Sequence, residues 1–430
     1  MPKLFKLKNG IQLLAVPVSG TKAITVLAMF PIGSRYEHKK ISGVSHFVEH
    51  LMFKGTARRP TTLDISRELD AVGADYNAFT YKDFTGYYVR IDADKKELAF
   101  DMLSDMIFNS KMDAAEVAKE KGVIIEELRM YEDNPTMFVE LLFDRTLFGD
   151  HPLGWDIGGS VKTVTKITRE EIYNYYRNHY FPANMLLVVA GRTNPKSARE
   201  LVEKYFVKPV KVPNKKFTVA DYKKHNWPAK TPGLNVRVGV KTQKVDQAHV
   251  ILGWPGFKNN HPDRFAATIL LNILGGGMSS RLFVEVREKR GLAYMVSAGA
   301  MGFRDIGGIY VQAGLNADRL EEALQVIKTE VNKIKTTPVS RKELADAKSN
   351  IIGHLALAFE NSNVQAEWYA KRFLFEGRLT APEELIKKLK KVTAKEVRQV
   401  AQKYLDFKKM RLAVIGSLSK NEVAKMAKKL

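Results

Sequence analysis

Residues 42–56, with the sequence SGVSHFVEHLMFKGT, decide how the rest of the chain is interpreted. Apolar residues recur in this segment at the spacing of a helix rather than of a strand, at Val44, Phe47, Val48, Leu51 and Met52. Ser42 is a suitable N-cap, and Gly55 suits the position just past the C-terminus. His46 and His50 are four residues apart, so a helix places both imidazoles on one face, one turn apart.

Two neutral imidazoles at this spacing suit one divalent metal ion, most plausibly zinc. A catalytic zinc site needs a third protein ligand and keeps a position for water. Glu49 lies beside the pair, where its carboxylate can take a proton from that water. The pattern H-x-x-E-H is the inverse of the commoner H-E-x-x-H zinc motif. On the motif alone, the alternative of a helix with two ordinary histidines stays open, since the chain has nine His.

The composition is that of an ordinary globular protein. The 430 residues suffice for two or three domains, with 45% hydrophobic and 27% charged residues. The absence of cysteine excludes disulfides, thiolate ligands and a cysteine nucleophile. The formal charge is +22, but the basic residues are scattered and no aromatic-interleaved RNA-binding motif is present. We therefore favour a lysine-rich composition over nucleic-acid binding or attraction to acidic substrates.

The N-terminal segment has no acidic residue before Glu37, a feature that it shares with transit peptides. We predict instead that residues 4–7 and 11–16 form two strands around an Asn-Gly turn. The longest apolar stretch nearby, residues 23–30, is too short to cross a membrane. With neither a signal peptide nor a transmembrane helix, a soluble cytoplasmic protein is expected.

Two pairs of features share one sequence offset and indicate an internal repeat. Capping boxes begin helices at Thr168 and at Thr393, which are 225 residues apart. Each helix is followed by a predicted strand that ends in glycine, at Gly191 and at Gly416, again 225 residues apart. The same elements therefore recur in the same order.

A second correspondence joins the middles of the two halves, GADY…GYYV from Gly73 and GLAY…GIYV from Gly291. We infer an α+β fold of two duplicated domains, each a mostly antiparallel sheet covered by helices. The predicted boundaries are 1–207 for a metal-binding catalytic domain, 208–233 for a linker rich in Pro and Lys, and 234–430 for the second domain.

The second copy of the metal helix shows which half can hold an ion. It corresponds to residues 266–275, AATILLNILG, which contain neither His nor Glu. Only the first domain can therefore bind the metal, and the second has become scaffold or substrate surface.

A long predicted helix, residues 113–131, offers four glutamates as the third ligand, Glu116, Glu120, Glu126 and Glu127. Glu120 and Glu127 are seven residues apart and so lie nearly on one face. Glu126 points about 100° away from Glu127, so both cannot serve one metal. The local pattern makes Glu127 only slightly better than Glu126, and taken alone it favours a solvated acidic face for all four.

The motif from His46 to His50, followed by a glutamate 77 positions later, resembles the M16 metallopeptidases, the family of pitrilysin and insulin-degrading enzyme. The length and the duplication resemble the short two-domain M16B branch, which includes mitochondrial processing peptidase. This resemblance implies a zinc peptidase with the LuxS/M16-like metallohydrolase fold. It implies that His46, His50 and Glu127 bind Zn²⁺. It also implies that Glu49 activates water and that Glu120 supports a ligating histidine.

The resemblance extends to two further motifs. Residues 77–80, with the sequence NAFT, resemble the family's active-site strand, whose backbone pairs with an extended peptide substrate, and this implies Asn77, Ala78 and Phe79 as substrate-binding residues. For Asn77, an ordinary turn or strand-end position is the alternative. Arg287 and Tyr294 match the family's Arg/Tyr pair, which contacts substrate or the oxyanion. The alternatives are a salt-bridged helix residue for Arg287 and a core residue for Tyr294.

The family pattern also implies partners. The Arg/Tyr pair would come from a second subunit, so a homodimer enclosing a chamber would hold two complete sites for short or unfolded peptides. No nucleic acid and no membrane are expected as partners. The rivals are a catalytically silent relative, like the core subunits of the respiratory bc1 complex, and a basic nucleic-acid-binding protein. The intact metal motif favours the zinc peptidase.

Overall fold

The structure, a computed structural model, describes residues 2–208 and 237–430. The fold is α+β with two sheets. The strands are β1 (Lys3–Lys6), β2 (Gln12–Pro17), β3 (Ala23–Phe30), β4 (Asp75–Thr80), β5 (Thr85–Asp92), β6 (Leu186–Gly191), β7 (Arg237–Thr242), β8 (Gln247–Pro255), β9 (Ala293–Gly302), β10 (Gly307–Asn316) and β11 (Arg411–Gly416).

The helices alternate with these strands and cover both sheets. They are α1 (Val44–Met52), α2 (Thr62–Asp70), α3 (Lys96–Asn109), α4 (Ala114–Asp133), α5 (Pro135–Phe148), α6 (Val161–Lys166), α7 (Arg169–His179), α8 (Pro195–Val202), α9 (Arg264–Gly275), α10 (Leu320–Thr336), α11 (Arg341–Ala358), α12 (Ser362–Glu376), α13 (Pro382–Lys391), α14 (Ala394–Tyr404) and α15 (Lys420–Lys429). Within the described ranges, no helix combines the length and apolarity that spanning a membrane requires.

The chain divides into two compact units, and neither is continuous in sequence. The first unit comprises residues 1–129, 156–223 and 356–380, and the second comprises 130–155, 224–355 and 381–430. Apart from Lys208, the predicted linker 208–233 lies outside the described residues. The predicted domain boundaries therefore stay a prediction.

The two sheets repeat one strand order. The order is β1-β2-β6-β3-β5-β4 in the first unit and β7-β11-β8-β10-β9 in the second. In each sheet one pair is parallel, β2 with β6 and β7 with β11, and the remaining pairs are antiparallel. Five strands thus correspond one to one, which confirms the duplication.

The capping boxes that revealed the repeat are present where the sequence predicts them. The hydroxyls of Thr168 and Thr393 accept from the third backbone N–H of α7 and α14. The strands that follow, β6 and β11, end at Gly191 and Gly416. Because each box satisfies free N–H groups of the first turn, it fixes where each of these helices begins.

Each unit is completed by one helix from the other half of the chain. Helix α5 buries Val139, Phe143 and Leu147 against β7, β8 and β11 of the second unit. Helix α12 buries Ala366 and Tyr369 against β2, β3 and β6 of the first unit. The amphipathic pattern of these helices did not predict this exchange.

The ends of α1 differ from those that the sequence predicts. The N-cap is Gly43 rather than Ser42, with φ of 98°, a left-handed conformation that favours glycine. A Cβ at Gly43 would lie 2.5 Å from the carbonyl oxygen of Gly158, so no side chain fits there. Helix α1 ends with Phe53 as its C-cap, so Gly55 lies in the turn beyond the helix. Both predicted end positions are therefore wrong.

The cap of α1 comes from Glu37, in the loop before the helix. Its carboxylate accepts from the backbone N–H of Gly43 at 2.7 Å and of Ser45 at 2.8 Å. Glu37 is 4% exposed, and burial raises its pKa from 4.5 to about 7, despite the opposing effect of these hydrogen bonds and of Lys82. A buried carboxyl thus holds the first turn of the helix that carries the two histidines.

The raised pKa of Glu37 predicts a pH-dependent stability. Because the folded pKa lies above the unfolded one, the contribution of this group to the unfolding free energy is present below pH 4.5 and lost as pH rises through 7. A shift of this size corresponds to about 3 kcal/mol. The unfolding free energy of wild type should therefore fall by about that much relative to that of Glu37→Gln when the pH rises from 5 to 8.5.

Calorimetric unfolding in EDTA at both pH values tests this prediction. Glu203→Gln, at a partly exposed glutamate of the same unit, is the control and should track wild type. A difference between Glu37→Gln and wild type that does not change with pH would show that Glu37 does not titrate differently in the folded protein.

Candidate metal centre

The face of α1 opposite its histidines is built from core residues. Phe47, Val48 and Leu51 are buried in the main core of the first unit. This packing leaves His46 and His50 half-buried on the other face, with their ring centroids 4.6 Å apart. The spacing predicted from the sequence is therefore realised as two adjacent imidazoles.

Helix α4 brings a carboxylate to this pair. Glu127 Oε2 lies 3.6 Å from His46 Nε2 and 3.4 Å from His50 Nε2. The three ligand atoms lie within 4.8 Å of one another, and in the described part of the chain they form the only group of three such ligands. Tetrahedral zinc with bonds of 2.0–2.1 Å would place neighbouring donors about 3.4 Å apart, so these residues fit the ion.

The structure also separates the two candidate glutamates that the sequence left open. The Glu126 side chain is 70% exposed and forms an ion pair with Arg129 at 2.5 Å. Glu116 likewise pairs with a neighbour on its own helix, Lys119. Only Glu127 faces the two histidines, which is consistent with the ligand set that the family resemblance implies.

Glu120 lies one layer behind the ligands, as a support for His50. Its Oε2 is 3.0 Å from His50 Nδ1, and its Oε1 is 2.7 Å from Lys54 Nζ. With Nδ1 engaged in this way, His50 presents Nε2 to an ion. In contrast, His46 Nδ1 is buried and has no hydrogen-bond partner among the described residues.

The two histidines have very different pKa values. Burial lowers the pKa of His46 to about 4, and neighbouring His50 adds to this effect. Burial also opposes the charge of His50, but hydrogen bonds with Glu120 and Glu127 outweigh it and raise its pKa to about 9. The hydrogen bond with His50 lowers the pKa of Glu127. In the absence of metal the cluster therefore holds a proton on His50, which an ion would displace.

Glu49 lies on the same helix with its carboxylate largely buried. Burial raises its pKa above the ordinary value, against a lowering by the hydrogen bond from Thr80 and the charge of His50. The Thr80 hydroxyl donates to Glu49 Oε2. A carboxyl with a raised pKa beside a metal-binding cluster is suited to accept and return a proton.

The predicted substrate strand forms an edge of the sheet. Strand β4 contains Asn77, Ala78 and Phe79 and pairs with β5 alone among the described strands. Asn77 Oδ1 accepts from the N–H of Ala78 at 2.8 Å, and Phe79 packs against Phe84 on the sheet face that α12 covers. An edge strand presents backbone groups that can pair with an added strand.

Arg287 and Tyr294 lie together in the second unit. Arg287 Nη1 donates to the carbonyl oxygen of Tyr294 at 2.9 Å, and its guanidinium carbon is 5.4 Å from the Tyr294 ring centroid. Tyr294 is 72% exposed, which excludes the core alternative. It lies where the register of β9 against β10 shifts, next to Met295, and such bulges re-aim side chains.

Two residues of the centre carried no role in the sequence analysis, Lys54 and Thr80. Both lie inside motifs that drew attention there, but their partners are 66 and 31 residues away along the chain. The only available signal was their position: Lys54 follows the metal helix, and Thr80 ends the predicted substrate strand.

Comparisons with known proteins agree with the duplicated architecture. The family described as Insulinase (Peptidase family M16) matches residues 15–160, and the Peptidase M16 inactive domain matches residues 166–351. The uncharacterized zinc protease SCO5738 of Streptomyces coelicolor is 34% identical, over 98% of this chain and 90% of that protein. The uncharacterized zinc protease YmxG of Bacillus subtilis is 30% identical, over 94% and 95%. The chain therefore belongs to the M16 peptidase family.

Solved structures share the fold over the whole chain. A protease from Helicobacter pylori has a TM-score of 0.89 at 24% identity, covering 97% of this chain and 99% of that one. The periplasmic protease PqqL of Escherichia coli has a TM-score of 0.78 at 20% identity and covers all of this chain with 50% of its own. The predicted two-domain M16-like fold is thus confirmed.

The geometry of α4 predicts that only one of two adjacent substitutions changes the affinity for zinc. We expect Glu127→Gln to lower zinc affinity by at least about 100-fold, because only two imidazoles and a neutral amide remain. Glu126→Gln, the matched control, should leave zinc affinity unchanged because its side chain faces solvent. Competition with a chelator measures both dissociation constants. Equal zinc affinities in the two variants would remove Glu127 from the ligand set.

Proposed function

We propose that this chain is a zinc-dependent endopeptidase that hydrolyses short or unfolded peptides. The observation that carries the proposal is the convergence of His46, His50 and Glu127, with the Glu49 carboxyl on the same helix. The relatives named zinc proteases support the choice of zinc and of peptide hydrolysis.

The reaction divides between the ion and the side chains around it. A zinc ion held by His46, His50 and Glu127 would polarise the scissile carbonyl and lower the pKa of a bound water. Glu49 takes the proton of the attacking water and passes it to the leaving amine. Because burial raises the pKa of Glu49, its carboxylate takes the proton of the water more readily than an ordinary carboxylate would. Glu120 holds His50 in orientation throughout.

The substrate main chain pairs with the outer edge of β4. Asn77, Ala78 and Phe79 supply backbone N–H and C=O groups, which bind an extended peptide with little demand on its sequence. A folded protein presents few free extended segments, so such an edge selects short or unfolded chains.

The second unit contributes a substrate-contacting pair. Arg287 and Tyr294 would stabilise the oxyanion or hold the peptide, and the exposure of Tyr294 leaves its hydroxyl accessible for that role. We place this pair in the active site of a partner subunit, within a homodimer that encloses a chamber. The cytoplasmic location, and independence from nucleic acid and membrane, belong to the same proposal.

Replacing the general base tests the proposed reaction directly. Glu49→Gln should lower the rate of hydrolysis of a quenched-fluorescent peptide by about 10²- to 10⁴-fold, because the amide cannot take a proton. Zinc content should stay at the wild-type value, since Glu49 is not a ligand. Glu126→Gln is the control and should keep full activity.

Full activity in Glu49→Gln would exclude Glu49 as the base. A wild-type protein that binds zinc but cleaves no unfolded peptide would point instead to a catalytically silent member of the fold.

A co-expression experiment tests whether the sites are shared between subunits. Glu49→Gln and Tyr294→Phe homodimers should both be impaired. A heterodimer isolated with two affinity tags would combine an intact Glu49 with the intact Tyr294 of its partner at one of two sites. Its activity should therefore recover to about half of wild type. A heterodimer as inactive as its parents, or a fully active monomer in sedimentation at micromolar concentration, would contradict the shared site.

A further inference from the structure

Thr80 is the last residue of β4, and its side chain points toward the metal helix. Successive side chains of a strand alternate between the two faces of a sheet. Tyr76 and Ala78, on the same face as Thr80, pack against the core that includes α1, whereas Phe79 packs against the cluster under α12. Thr80 therefore lies on the face of the sheet that α1 covers, and its hydroxyl donates to Glu49 Oε2.

We propose that Thr80 is a positioning residue that fixes the Glu49 carboxyl for proton transfer. This inference rests on the proposed peptidase function and adds to it a residue outside the metal ligands and the base. The contact engages Oε2 of Glu49 and leaves Oε1 to take the proton of the attacking water.

A hydroxyl suits this role because it serves both protonation states of the base. It donates to Oε2 before the proton is taken, and it can still donate to that oxygen afterwards, when Oε1 carries the proton and Oε2 is the carbonyl oxygen of the acid. Restricting the rotamers of a glutamate side chain costs conformational entropy, and a fixed partner removes that cost from the reaction step. An apolar side chain of the same shape would provide packing but neither hydrogen bond.

The backbone around Thr80 is itself held in place. The turn that follows β4 is closed by Tyr81 N–H donating to the carbonyl of Phe84 at 2.8 Å. Ser34 N–H donates to the carbonyl of Tyr81 at 3.1 Å. A Cβ at Gly33 would lie 2.1 Å from that same oxygen, so the two loops are in close contact. Thr80 therefore projects from a fixed support.

The second unit provides an internal comparison. By register, Thr80 opposes Thr85 in β5, and the corresponding pair in the second unit is Gly302 opposite Gly307. Helix α9, which corresponds to α1, contains no glutamate. The hydroxyl is thus present in the copy that has the base and the metal cluster, and absent from the copy that has neither. The fold does not need this side chain, which argues for a role in the reaction.

Two substitutions separate the hydrogen bond from the packing. Thr80→Val keeps the shape and removes the donor, and we expect kcat to fall by about 10- to 100-fold with KM changed less than about twofold. Thr80→Ser keeps the hydroxyl and should recover most of kcat. Zinc content and the thermal midpoint should equal those of wild type in both variants.

A double variant shows whether Thr80 acts through Glu49. In Glu49→Gln, the added Thr80→Val change should cause no further loss of kcat, because the group that Thr80 positions is already gone. Binding of an uncleaved fluorescent peptide to Glu49→Gln, followed by anisotropy, should be the same with and without Thr80→Val. This readout is independent of turnover and reports any effect on the β4 edge.

The outcomes distinguish this inference from the proposed function. Wild-type kcat in Thr80→Val, with Glu49→Gln inactive, overturns the role of Thr80 and leaves the peptidase intact. A weaker peptide affinity with unchanged kcat assigns Thr80 to substrate binding and also overturns it. An active Glu49→Gln, or a wild-type protein without peptidase activity, overturns both.

Discussion

The convergence of three ligand atoms within 4.8 Å is the constraint on which the rest of this structure depends. Without an ion, the arrangement brings two imidazoles and a carboxylate together in a half-buried site, and the proton on His50 partly compensates for the charge. Burial lowers the pKa of His46 to about 4, whereas hydrogen bonds with two carboxylates raise that of His50 to about 9, although the two rings are adjacent. Such a cluster persists only because α1 and α4 are held in a fixed relation by the surrounding fold.

Helix α1 is fixed at three places by three different parts of the chain. Glu37, from the preceding loop, holds its first turn through two backbone N–H groups. Thr80, from the edge strand, holds Glu49 in the middle, and Glu120, from α4, holds His50 near the end. Each partner engages a different part of the helix, namely its first turn, Glu49 and His50.

Local spacing predicted the parts of this site that lie on one helix. His46, Glu49 and His50 could be assigned because helical periodicity over a few residues fixes their relative directions. The choice of Glu127 over Glu126 could not be made locally, since the two differ only by a rotation of about 100° and the burial of α4 decides which faces the histidines. The family resemblance is what favours Glu127.

Two other features could not be predicted from the sequence because they too depend on contacts outside the local pattern. The cap of α1 comes from Glu37, six residues before Gly43, whereas local capping preferences apply to the residue next to the helix and therefore favour Ser42. The exchange of α5 and α12 was missed because an amphipathic pattern shows which face of a helix is apolar and not which sheet covers it. The repeat of elements was found because capping boxes and strand-ending glycines are local signals that survive duplication.

The duplication also shows how the edge strand differs between the two units. By register, β4 corresponds to residues 297–302 of β9, so residues 293–296 are an extension that the first unit lacks. The match of residues 73–76 with residues 291–294 that the sequence predicted is therefore displaced by four residues. Tyr294 lies on this extension, beside a register shift, and is exposed next to Arg287 instead of packed in the core. In the first unit the matching strand ends at Thr80, whose hydroxyl donates to Glu49. The same edge therefore carries at its end, in one copy, a hydroxyl that contacts Glu49, and at its start, in the other copy, an exposed aromatic side chain.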